Sequence, residues 1–287
     1  MFEVSEKAQP LPVVVLRDTS AGSEAEIAPG RGGMATRFSV GDVPVLSMDD
    51  ATLLDPTKNV RGGVPVLFPT AGRLKDDRYG TREMKQHGFA RNLPWEIVDR
   101  SKDGDRDGGA RVVLALASSA ETRERFPFDF RVELTYELRG ATLTIAQRYE
   151  NRGDQPMPLH AGFHPYFHVP DGEKARTTIE TRATRAFDNV TKADRAFHGF
   201  DLTQKEVDLH LHDHGSTQSA IVLPSGRRIE VGASDEFTHW VVWTVAGKDF
   251  ICLEPWTAPG NALNTGDRLL WLPPHQSRRL WIAITLR

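Results

Sequence analysis

The chain predicts an all-β protein, a large antiparallel β-sandwich, on three observations. Short segments alternate apolar and polar side chains with period two, turn residues punctuate them at regular spacing, and no long amphipathic helix is evident. At 287 residues with 39% apolar content, the chain can bury one large core or two ordinary ones. No composition break or linker divides it, so a single domain over residues 1–287 is expected.

The elements follow in chain order. Ser101 to Gly109 is charged and glycine-rich and reads as a hairpin loop, not a domain linker. Val132, Leu134, Tyr136 and Leu138 alternate with polar residues, Arg139-Gly140 turns the chain, and Leu143, Ile145 and Tyr149 alternate on the return. That is a β-hairpin. Ile221-Val222-Leu223, the turn Pro224-Ser225-Gly226, and Ile229 with Val231 form another. Trp240 to Val245 and Phe250 to Leu253 are apolar runs joined by Ala246-Gly247-Lys248-Asp249, the pattern of buried strands. Ser277 to Leu286 is the last strand, with Leu280, Ile282 and Ile284 on one side. No internal repeat or low-complexity tract interrupts this series.

Composition excludes several functions. The formal net charge is −3 and no Lys/Arg stripe stands out, which argues against nucleic acid as a partner. The longest apolar runs fall far short of a bilayer span, so no membrane partner is expected. Met1 to Glu6 is acidic and does not read as a secretory leader. A single cysteine, Cys252, rules out an intrachain disulfide and makes the cytoplasm the expected setting.

Three dense segments carry the candidate chemistry. His164 lies in Gly162-Phe163-His164-Pro165-Tyr166-Phe167, where Pro165 favours an extended backbone, Gly162 permits close approach, and three aromatic residues offer flat surface for a sugar ring. An unperturbed imidazole titrates near 6.5, close to working pH. Glu254 lies in Ile251-Cys252-Leu253-Glu254-Pro255-Trp256, on the same side of its strand as Cys252 and Phe250. A carboxylate continuing an apolar face needs a partner or a task. One proton donor and one acceptor are the minimum for opening a cyclic hemiacetal. The third segment runs from Arg61-Gly62-Gly63-Val64-Pro65 to Gln86-His87-Gly88-Phe89-Ala90-Arg91.

Together these segments resemble the aldose 1-epimerase (galactose mutarotase-like) family, including its hexose-6-phosphate mutarotase branch. The resemblance implies the β-supersandwich version of the fold and an isomerase that interconverts the α and β anomers of an aldose or aldose 6-phosphate. It implies His164 as the acid that protonates the ring oxygen, Glu254 as the base at the C1 hydroxyl, and His87 as a second catalytic-site histidine near the reacting oxygen. Arg73 matches the family's substrate-binding arginine, although Gly72 stands where galactose-type members place an asparagine. Asp208 is the best match for the sugar-binding aspartate, with Asp213 second. Arg61 and Arg91 fall at motif positions where the phosphorylated-sugar branch holds phosphate, and a guanidinium fork suits that group. The chemistry requires no cofactor and no metal.

Two other classes stay open. His160, His164 and His168 recur every four residues and His210, His212 and His214 alternate, so either triplet could hold a metal ion. A non-catalytic carbohydrate-binding or sugar-sensing protein would keep the aromatic residues without needing both His164 and Glu254. Cys252 as a nucleophile has no basic neighbour in sequence and suits a small buried apolar role.

Overall fold

A computed structural model describes residues 1–101 and 108–287, and the charged centre of the expected Ser101–Gly109 loop lies outside the described residues. Three antiparallel sheets dominate. The first is a five-stranded meander, Phe2–Lys7, Val13–Asp18, Ser23–Ala28, Met34–Val40 and Val43–Pro44. The second has eight strands and contains both expected hairpins. Its spatial order is Thr178–Glu180, Gln218–Val222, Arg228–Ala233, Ser277–Leu286, Thr142–Asn151, Phe130–Arg139, Ala110–Ala117 and Glu96–Ser101. The third carries the site. Its path runs Ala193–Ala196, Arg185–Asp188, Glu206–Leu211, His239–Val245, Phe250–Trp256, Gly162–Phe163 and Val66–Leu67, with Tyr166–His168 also paired to Phe250–Trp256.

The 130–151 hairpin shows why the alternation was legible. Leu138 faces Leu143 and Tyr136 faces Ile145 in register, and Gly140 turns the chain with φ +57°, a conformation glycine adopts without steric cost. Val132, Leu134, Tyr136 and Leu138 are buried, while the opposite face pairs Glu133 with Arg148 across the strands. Helices are short among the described residues. Asp50–Leu54 is capped by Asp49, Ala120–Arg125 has a Ser119/Thr122 capping box, and Ala262–Thr265 is a single turn. No described helix is long and apolar enough to cross a membrane.

The core is shared by all three sheets: Leu16 and Phe38 from the first, Leu134 and Ile145 from the second, and Leu209, Leu211, Val242, Ile251 and Leu253 from the third pack in one cluster. Each fully buried aliphatic side chain stabilises the fold by roughly 1.5–3 kcal/mol. The period of two then fixes the other face of the third sheet. With Leu209, Val242, Ile251 and Leu253 turned to the core, Asp208, His210, His239, Trp243, Glu254 and Trp256 face the other way and line one cavity. Every residue of Phe250–Trp256 is buried, because the core covers one face of the strand and the cavity floor the other.

Candidate active site

The cavity has a volume of about 1040 Å³. It brings together residues that the sequence separates by up to 202 positions, from Asn59 to Asn261. His164, Glu254, His87, Arg73, Asp208, Arg61 and Arg91 all line it. Asp213 does not. Its carboxylate caps Thr184 and Arg185, accepting from both backbone N–H groups.

His164 is held on a short extended segment between two partners. Its backbone N–H donates to Pro65 at 3.1 Å, and Tyr166 pairs with Cys252 across the sheet. Gly162 makes this close threading possible. A Cβ there would stand 2.7 Å from Ala71 Cβ and 2.8 Å from the Trp256 ring. The Tyr166 ring stacks on the imidazole at 4.7 Å and 11°, fixing its plane. His164 Nε2 then lies 3.3 Å from Glu254 Oε1, and Trp256 Nε1 donates to Glu254 Oε2 at 3.1 Å.

Burial governs the protons on this pair. His164 is 8% exposed and Glu254 2%. Desolvation pushes the carboxyl well above its ordinary range, helped by the Asp208 carboxylate. Desolvation also pushes the imidazole well below 6.5, helped by His87 and Arg91. Both directions favour the neutral pair, an un-ionised Glu254 beside an unprotonated His164. The pair therefore holds one proton in total.

His87 sits at φ +69°, uncommon for a residue with a Cβ, where the next residue, Gly88, packs against the Phe68 carbonyl. Its Nδ1 donates to the Ala71 carbonyl. Burial, then the charge of Arg91, push its pKa down to about 3. A neutral His87 with Nδ1 committed offers Nε2 as an acceptor, so it can receive a sugar hydroxyl rather than donate to the ring oxygen.

The remaining residues form the walls. Asp208 Oδ2 accepts from Asn189 at 2.6 Å, and its Oδ1 lies 3.3 Å from His210 Nε2. His210 Nδ1 and His239 Nε2 are 3.0 Å apart. Arg61 places its guanidinium 5.9 Å over the Trp243 ring. Arg91 donates Nη2 to the Gln86 carbonyl and leaves a buried Nε without a partner among the described residues. Arg73 is exposed at the rim, bound through two contacts of 2.9 Å to Asp77.

Neither histidine triplet converges. His160 is locked between Thr70 and the Ala258 carbonyl, away from His164. The strand carrying His210 ends at Leu211, so the alternation fails and His214 turns instead to Thr181 and the Gln218 carbonyl. His210, His239, Asn189, Trp243 and Lys192 also line the cavity, outside the residues expected from the sequence. Strand alternation puts His210 beside Asp208, but His239 and Asn189 reach the site only through pairing across strands.

Fold and cavity together define a mutarotase-like β-sandwich with a buried imidazole–carboxyl pair in a cavity on one face of one sheet. The chain belongs to the aldose 1-epimerase family, whose profile matches residues 14–285. Over its whole length it is similar to the Slr1438 protein of Synechocystis, with 37% identity, a TM-score of 0.92, and coverage of 100% of this chain and 99% of that one. A galactose mutarotase-like protein of Clostridium acetobutylicum shares the fold at 20% identity and a TM-score of 0.83, covering 100% of this chain and 98% of its own. Among curated proteins, one from Salmonella typhimurium, provisionally named a glucose-6-phosphate 1-epimerase, is 30% identical over 154 residues, which are 54% of this chain and 47% of that protein. The match thus spans about half the length of that relative.

Proposed function

We propose that this protein interconverts the α and β anomers of a hexose by opening and reclosing the ring. One observation carries the reading: a buried imidazole and a buried carboxyl stand 3.3 Å apart on the floor of a cavity walled by Trp256, Trp243 and Tyr166. Glu254 takes the C1 hydroxyl proton while His164 gives a proton to the ring oxygen, and the C1–O5 bond breaks. Rotation about C1–C2 presents the other carbonyl face, and closure reverses both transfers. The pair enters the cycle with its proton on His164, holds it on Glu254 at the open-chain stage, and has it back on His164 after closure. Its proton count never changes, so no exchange with solvent is needed. Hydroxyls of the bound sugar stabilise the ionised arrangement, and the nearby Arg91 stabilises its Glu254 carboxylate. His87 and Asp208 orient hydroxyls, and Arg73 meets the sugar at the rim.

A hexose 6-phosphate is the second reading, favoured by the two guanidinium groups of Arg61 and Arg91 in the same cavity and by the partner-free Arg91 Nε. The unpaired, buried Cys252 suits a cytoplasmic setting. Polarimetry or NMR exchange on glucose, galactose and glucose 6-phosphate tests the activity and ranks the substrates. Exchange no faster than in buffer for every aldose tried would leave only a sugar-binding role.

A further inference from the structure

Cys252 takes no part in the ring-opening chemistry, yet it stands beside the groups that do. An imidazole nitrogen of His164, Cys252 Sγ and a Glu254 carboxylate oxygen all lie within 4.8 Å of one another, and all three residues are buried. They are the only such trio of His, Cys, Asp or Glu donors among the described residues. The arrangement comes from the strand itself. Cys252 and Glu254 are two residues apart on one face of Phe250–Trp256, and His164 is delivered by the adjoining Gly162–His168 segment.

We infer that His164, Cys252 and Glu254 form an inhibitory site for a soft divalent cation, zinc above all. The spacing fits. Tetrahedral zinc with nitrogen and oxygen ligands at about 2.0–2.2 Å holds them about 3.4 Å apart. His164 Nε2 and Glu254 Oε1 are already 3.3 Å apart. A thiolate at about 2.3 Å from the metal stands about 3.6 Å from each of the others. Closing from at most 4.8 Å to about 3.6 Å asks Cys252 Sγ to approach each donor by up to roughly 1.2 Å, within reach of a small side-chain rotation. The donor set discriminates as well: thiolate plus imidazole selects zinc-like ions over magnesium or calcium, which favour oxygen. Three protein ligands leave the fourth position open towards the cavity.

The ion occupies the place of the proton that the pair passes to and from the sugar. As it binds, the Cys252 thiol loses its proton to solvent when the zinc–sulfur bond forms, and the proton shared by His164 and Glu254 leaves too. Neither group can then exchange a proton with substrate. Metal removal leaves the apoprotein competent, so a chelator protects activity rather than abolishing it.

The inhibition readout rests on the proposed mutarotation, and the binding readout does not. With purified protein in non-chelating buffer, micromolar zinc is expected to stop glucose mutarotation and EDTA to restore it, while magnesium has no effect. Cys252→Ser and Cys252→Ala keep the basal rate and need at least ~10-fold more zinc for half-inhibition, since even an outer-sphere partner is worth roughly 10- to 100-fold in metal affinity. Cobalt supplies the direct probe. Because Cys252 is the only cysteine, a thiolate-to-cobalt absorption band in the wild type, absent from Cys252→Ser, reports this site even if no sugar is turned over. Equal zinc sensitivity of both variants and the wild type would place the metal elsewhere, for example on His210 and His239, and overturn the inference. So would cobalt binding without the thiolate band.

Discussion

His164 Nε2 faces Glu254 Oε1 at 3.3 Å, and burial drives the two groups in opposite directions, the imidazole down and the carboxyl up. The pair behaves as one titrating unit with a single shared proton. An exposed acid–base pair with ordinary values would be correctly charged only between about 4.5 and 6.5. Here the one-proton state ends on the acid side when lowered His164 takes a second proton, and on the alkaline side when raised Glu254 loses the only one. The kcat/KM profile should therefore stay flat across neutral pH and fall only outside it. An alkaline limb with its midpoint at 6.5 or below would contradict the shared-proton account.

Removing either partner tests the roles separately. Glu254→Gln and His164→Asn should each lower kcat by about 10²–10⁴-fold, the usual worth of a positioned proton carrier. The KM should change much less, because the proton transfers belong to the chemical step rather than to binding. A variant that folds and retains near wild-type turnover removes its residue from the mechanism.

The same carboxyl should cost the fold stability. Its folded pKa is raised, so the folded state holds a proton that the unfolded chain releases near 4.5. Stability is thus lost as pH rises from the unfolded value through the folded one. Gln at position 254 has no proton to lose and its carbonyl can still accept from Trp256 Nε1. The Tm advantage of Glu254→Gln over the wild type should be small at pH 4 and grow as pH rises. An advantage that shrinks with pH would reverse the sign assigned to Glu254.

Alternation made the strands legible, down to Ser277–Leu286, whose expected ends match the observed ones. The sandwich is antiparallel, and the site segments stood out because glycine, proline and aromatic residues concentrate around His164 and Glu254. What alternation cannot supply is register between strands distant in sequence. His239 reaches the site because Leu211 pairs with Trp240 and His210 with Val241, a nonlocal choice with no local signature. The same limit explains the His210–His214 triplet, since nothing local marks Leu211 as the last strand residue. The five-stranded sheet over Phe2–Pro44 lacks that clear alternation, because Ser23–Ala28 mixes two glutamates into a largely buried strand.

Gly72 has a packing reason independent of substrate choice. A Cβ there would stand 2.6 Å from Gly260 Cα and 3.2 Å from the Trp256 ring. Gly72→Asn should therefore destabilise the fold by about 1–3 kcal/mol, the range for overpacking a filled site. It should also lower activity on every sugar by displacing Trp256, which holds Glu254. A stable variant with a selective gain on galactose would show that space at position 72 governs specificity instead.

The arginines decide between the free and phosphorylated sugar. A charge-assisted hydrogen bond from Arg61 or Arg91 to a phosphate is worth roughly 1.5–3 kcal/mol. Since 1.4 kcal/mol is a factor of ten, losing one such bond weakens the ester by about 10- to 150-fold. Arg91 is the sharper test, because its buried Nε has no partner among the described residues and its charge also acts on His164. Under the phosphate reading, Arg91→Ala raises KM for glucose 6-phosphate by that factor and leaves KM for glucose nearly unchanged. Any effect transmitted through His164 falls on kcat for both sugars alike, so the two roles separate within one set of measurements. Added salt should raise KM for the ester preferentially, to the extent that Arg61, the more exposed of the two, carries the contact. Equal changes in KM for both sugars would make the two guanidinium groups part of the cavity wall and assign the site to free aldoses.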